Sequence, residues 1–144
     1  MKLSDQVISL ADAKRLKELG ISQHSLFVYV NFPETEFRPE LTCIIYSPSP
    51  DDYKDPGEIF SAFTVSELGE MFPTDLLHDS GHHYTWYHRY CWKGHSLGYS
   101  QVGGHDHIEI VWFTTEIAAR AALLIHLIEH AWISVEEINK RINS

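Results

Sequence analysis

The most regular pattern in the chain runs from His82 to Trp92, where Tyr84, Trp86, His88, Tyr90 and Trp92 alternate with Thr85, Tyr87, Arg89 and Cys91. A period of two sustained this long specifies a β-strand. Lys93-Gly94 permits a tight turn into a second strand, His95 to Val102. Gly103-Gly104 permits another into His107 to Phe113, so the three runs form a meander. Upstream, Leu26 to Phe32 and Leu41 to Tyr46 are rich in aromatic and β-branched residues on either side of a Pro-bounded acidic loop, and are expected to pair. Ser47 to Gly57 combines Pro48, Pro50 and Pro56 with Asp51, Asp52 and Asp55, a turn composition to which no element is assigned.

Helical spacing appears in four places. Leu10, Ala13, Leu16 and Leu19 follow a cap at Ser9 and stop at Gly20, predicting a helix over 10–19. Thr64-Val65-Ser66-Glu67 is a full capping box ahead of Leu68, Met71 and Phe72, with Pro73 as the stop, predicting 65–72. Thr115 caps a long apolar run over 116–132, and Ser134-Val135-Glu136-Glu137 opens a last helix over 135–142. Segregated strands and helices predict one α+β domain over 1–144. The expected architecture is a two-layer sandwich, a mainly antiparallel sheet of about five strands with the helices packed on one face.

Composition narrows the partners. Eleven Lys and Arg against twenty Asp and Glu give a net charge of -9, which disfavours phosphate backbones and anionic lipid. Cys43 and Cys91 are isolated and expected as reduced, packed thiols. No secretion signal opens the sequence and no run approaches the ~20 apolar residues of a membrane helix, so a cytoplasmic protein without a membrane span is expected.

The chemistry-bearing candidates begin on the long helix. At about 100° per residue, Ile117, Ala118, Ala121, Leu124, Ile125, Ile128, Ala131 and Trp132 form one sector for the sheet, leaving Glu116, Arg120, His126 and His130 outside. His126-Leu127-Ile128-Glu129-His130 spells H-x-x-E-H, the inverted zinc-peptidase signature, with His126 and His130 as zinc ligands and Glu129 as general base. A catalytic zinc needs a third ligand and a sheltered open position, and the fourteen residues after His130 offer Glu136 and Glu137 on a short helix. The sequence therefore favours a solvated face without zinc or another cofactor. Ala119, Leu123 and Leu127 fall on that same wet side and are expected to make a helix-to-helix homodimer contact.

Two further constellations carry chemistry-bearing residue types. His78, His82, His83, His88, His95, His105 and His107 crowd the meander with Cys91 and Asp106, yet no matched pair completes a structural zinc site. Trp86, Tyr90 and Arg89 are of the types that stack unpaired bases, but the acidic total and the core-like alternation oppose single-stranded nucleic-acid binding. Lys14, Arg15 and Lys17 suit the end of the first helix, where cations complement its dipole.

Three segments carry a resemblance. Leu10 through Ile21 followed by Ser25-Leu26-Phe27, then Phe63 through Met71, and then Thr115-Glu116 through Ala121, Leu124, Ile125 and Ile128-Glu129 resemble small uncharacterised proteins encoded in phages and prophage-like elements of gut bacteria. The resemblance implies a context and no activity, cofactor or catalytic residue. Its pattern ends the main helix with Glu-Asn, so His130 departs from it. The expected function is a non-catalytic module that binds a protein partner or itself, with a zinc hydrolase and a single-strand nucleic-acid binder as alternatives.

Overall fold

The computed structural model describes residues 2–31, 42–46, 59–78 and 80–143. Its elements are α1 (Leu10–Glu18), β1 (Phe27–Asn31), β2 (Thr42–Tyr46), β3 (Ile59–Ser61), α2 (Val65–Met71), β4 (Asp75–Leu77), β5 (His83–Cys91), β6 (Gly94–Gln101), β7 (His107–Phe113), α3 (Glu116–Glu129) and α4 (Val135–Ile142). The expected α+β class is present, with all four helices and five strands where the pattern put them. Strands β3 and β4 are additions, each three residues long and too short to show a period. Pairing is antiparallel throughout, in the orders β2-β1-β3 and β4-β5-β6-β7. The turn-rich stretch 47–57 lies outside the described residues.

Side chains close the helix N-termini as anticipated. Ser9 accepts from the Asp12 N–H at 3.2 Å, Thr115 from Ala118 at 3.2 Å and Ser134 from Glu137 at 3.1 Å. At α2 the box is reciprocal: Thr64 accepts from the Glu67 N–H while the Glu67 carboxylate accepts from the Thr64 N–H at 2.8 Å. Helix α1 ends at Gly20, φ +98°, in a turn where Ile21 N–H reaches the Leu16 carbonyl and Gly20 N–H that of Lys17. The same turn ends α3 three residues before the apolar pattern does. Ala131 takes φ +57°, Trp132 N–H meets the Leu127 carbonyl and Ala131 N–H that of Ile128. An alanine in this left-handed position leaves no trace in the sequence, because glycine is the residue that normally marks it.

The burial of α3 corrects the expected face. Ala119, Leu123 and Leu127 are 0% exposed, along with Ala121 and Leu124. Ala118, Ile125, Ile128 and Trp132, assigned to the sheet side, are only partly buried, and Ala131 is exposed. The cause is that α3 is covered twice, by β6 and β7 and also by α1 and α2. Ala119, Leu123 and Leu127 thus do join helix to helix, but within one chain, and are not available as a homodimer surface. Helix α2 approaches closely enough that a Cβ on Gly69 would sit 3.1 Å from Arg120 Nη1.

This arrangement predicts that Leu127→Ala lowers the unfolding free energy by about 2–5 kcal/mol in urea melts, as for a core leucine, against about 0.5 kcal/mol for an exposed one. In the same assay Ala131→Gly raises stability by about 1 kcal/mol, because it relieves the left-handed strain.

Candidate functional site

Each member of the H-x-x-E-H run on α3 has a structural partner. Glu129 Oε1 accepts from Arg15 Nε at 3.0 Å and Nη2 at 2.8 Å, tying α3 to α1, while Arg15 Nη1 also reaches Glu18 at 3.2 Å. Arg15 therefore does more than complement the α1 dipole. Its side chain is 44% exposed and that of Glu129 36%, so solvent screening keeps the contribution of this pair small. His130 caps the helix with Nδ1 2.9 Å from the His126 carbonyl oxygen. A carbonyl only accepts, so this Nδ1 bears the proton. The two imidazoles stack with centroids 4.1 Å apart. Among the described residues no three His, Cys, Asp or Glu side chains gather closely enough to hold one metal ion, so neither Glu136 nor Glu137 completes a zinc set. The expected base, Glu129, is engaged by Arg15. Burial lowers the His126 pKa, the neighbouring His130 lowers it further, and Glu129 opposes both.

The stacking trio is not assembled. Trp86 is half-buried between Phe72 and Tyr99, with ring centroids 4.9 and 5.5 Å away, and lies under the Arg120 guanidinium at 5.5 Å. Tyr90 is exposed further along the same face, and Arg89 points to the opposite face of β5. The histidine-rich stretch also disperses. His78 stacks on Trp132 and contacts Ser80, whereas His82, His83 and His105 are exposed. His107 lines a small hollow of about 130 Å³ with Tyr87, Arg89 and Ser100 on the outer sheet face, and Asp106 accepts from the Tyr84 hydroxyl.

Within this stretch His88 and His95 meet. The two-residue turn at Trp92-Lys93 pairs Tyr90 with His95 and His88 with Leu97, making the two histidines diagonal neighbours on the helix-facing side. His88 Nε2 lies 3.0 Å from His95 Nδ1. The centroids are 5.3 Å apart and the planes differ by 21°, which matches an in-line N···N contact plus the two ring radii, so the rings meet edge to edge. Glu116, the first residue of α3, places Oε1 3.8 Å from His88 Nδ1 and accepts from Arg120 at 2.7 and 3.0 Å. Burial pushes the Glu116 pKa up, but the hydrogen bond and charge of Arg120, with His88 and His95, outweigh it and hold it below the usual carboxylate value. Glu116 and Arg120 therefore face β5 and are not on the wet side of α3 as expected.

His95 and Glu116 line a cleft of about 670 Å³ together with Asp5, Gln6, Thr64 and Ser66. Beside it the backbone is irregular. His95 pairs with Phe113 but Leu97 with Ile110, so β7 carries an extra residue, and Trp112 adopts φ +60°. Gly94, φ +116°, sits so close that a Cβ would strike the Phe113 carbonyl oxygen. The bulge leaves Trp112 41% exposed, and Lys93 Nζ lies 5.4 Å from both the Trp92 and the Trp112 ring. No family model, curated protein or solved structure matches the chain.

The depressed His126 pKa sets a direction of pH dependence. The unfolded chain takes up a proton at His126 from about pH 6.5 downward, before the folded chain does, so stability present above that pH is lost as pH falls toward the folded value. His126→Gln should flatten this part of the slope, checked by urea midpoints from about pH 7.5 to about pH 5.

Proposed function

We propose that the chain is a non-catalytic binding module that takes a protein partner on the aromatic end of the β5–β6–β7 meander. The observation that carries the reading is Trp92, 90% exposed at the turn, with Tyr90 73% exposed and Trp112 turned outward beside it. Tyr and Trp are the residue types that anchor protein interfaces, since they cover large area at small entropic cost. Lys93 between the two indoles places one cation in the patch, so the complementary surface is apolar with a carboxylate. The net charge of -9 weighs against a nucleic-acid partner. No helix among the described residues is long and apolar enough to cross a membrane. We extend to the chain the context that the resemblance implies, a phage- or mobile-element-type protein of the cytoplasm.

The double variant Tyr90→Ala, Trp92→Ala tests the reading. Both side chains are exposed, so stability should stay within about 0.5 kcal/mol of the parent while binding is lost. Sedimentation velocity over a hundredfold concentration range reads self-association. Affinity capture with parent and variant baits, quantified side by side, reads other proteins. Identical sedimentation and identical captured proteins for the two chains would overturn the proposal.

A further inference from the structure

We propose that Glu116, His88 and His95 form a polar chain that orients His95 Nε2 as the hydrogen-bond acceptor for a small uncharged molecule presenting an O–H or N–H in the neighbouring cleft. The site adjoins the aromatic end through Tyr90 and does not depend on the role proposed for that end.

The orientation follows from which atoms donate and which accept. Glu116 is held anionic beside Arg120 and faces His88 Nδ1. At 3.8 Å the two are too far apart for a hydrogen bond, but the negative charge favours an N–H over a lone pair on the facing Nδ1, which leaves the His88 lone pair on Nε2. That lone pair points at His95 Nδ1 from 3.0 Å and requires an N–H there. Both tautomers are then fixed, and the remaining lone pair of His95 lies on Nε2. An isolated neutral imidazole prefers the opposite arrangement, with the proton on Nε2. The reversed tautomer at His95 is thus a property of the three-residue chain. Nε2 has no hydrogen-bond partner among the described residues, and His95 lines the cleft.

The polar chain works by accepting a hydrogen bond. A ligand O–H or N–H donates to His95 Nε2 and keeps its proton, while His95 Nδ1 donates to His88 Nε2, so no charge is left on the ligand or on either ring. Glu116 is anchored by Arg120 in turn, which is only 17% exposed and packs over Trp86. The Tyr90 ring tilts against His95 at 4.6 Å and limits its rotation.

The surroundings select the ligand. Asp5 and Glu116 put carboxylates in the lining, and it contains neither Lys nor Arg, so an anion is repelled. Gln6, Ser66 and Thr114 offer neutral hydrogen-bonding groups beside the apolar Val65 and Ile117. A volume of about 670 Å³ is within the usual range for a small-molecule site.

Long-range ¹H–¹⁵N correlation on the labelled chain reads which ring nitrogen bears the proton. At neutral pH the expected result is His95 protonated on Nδ1 and bare on Nε2, with the Nε2-protonated form becoming the majority in Glu116→Gln and in His88→Asn. Diethyl pyrocarbonate, an uncharged electrophile that acylates bare imidazole nitrogens, supplies a second readout mapped by mass spectrometry. His95 should be its fastest target among the ten histidines and several-fold slower in both variants. Trp92→Ala should change neither readout, which separates this site from the aromatic end. An Nε2-protonated His95 in the parent chain, or an unchanged tautomer and rate in a folded Glu116→Gln or His88→Asn variant, would overturn the proposal.

Discussion

The constraint on which the rest of the structure depends is that α3 is buried on two sides at once. Leu124 and Ala121, with Ala119, Leu123 and Leu127, leave the helix little polar circumference, and its neighbours are β6 and β7 on one side and α1 and α2 on the other. A helix so enclosed cannot rotate or slide without opening cavities. Its two ends therefore become fixed points. The first turn holds Glu116 and Arg120 against β5, where Gly69 of α2 leaves room for the guanidinium. The last turn holds Glu129 against Arg15 of α1. Both polar constellations are indexed by one rigid rod.

The other determinant is where this helical cover stops along β5. On a single face of that strand exposure rises from Tyr84 at 3%, through half-buried Trp86 and partly exposed His88, to Tyr90 and Trp92. The buried end supplies stability and the bare end an aromatic contact surface. His88 and His95 stand at the boundary, where an imidazole keeps one edge toward solvent and still meets a fixed carboxylate. Boundary positions of this kind orient a polar ring through its neighbours without sealing it from a ligand.

Much of this was legible in the sequence. The alternation from Tyr84 to Trp92 and the caps at Ser9, Thr64, Thr115 and Ser134 place the meander and the helix starts. Three things were not. Strands β3 and β4 are too short for a period, and the left-handed Ala131 is invisible where Gly20 is plain. The wheel for α3 assumed a single covering layer, so Leu123 and Leu127 were assigned to water when α1 and α2 in fact cover them. The His88–His95 contact was within reach. Once the turn is set at Trp92-Lys93, the register makes these two diagonal neighbours. Glu116 could not be added to them without knowing how α3 lies over the strand.

The two histidine pairs of this chain show why a spacing is weaker than a tautomer. His126 and His130 are brought together by one turn of helix, a juxtaposition any i, i+4 pair shares. The carbonyl of His126 fixes the proton on His130 Nδ1, much as His88 fixes that of His95, so in both cases Nε2 carries the lone pair. What differs is what holds each ring. His130 is held by the backbone of its own helix and by the His126 ring, while the nearby carboxylate, Glu129, is taken up by Arg15 of α1. His95 is held by His88 of the adjacent strand, beside the Glu116–Arg120 pair of α3. The second pair owes its geometry to the meeting of β5, β6 and α3, which no spacing within one segment records.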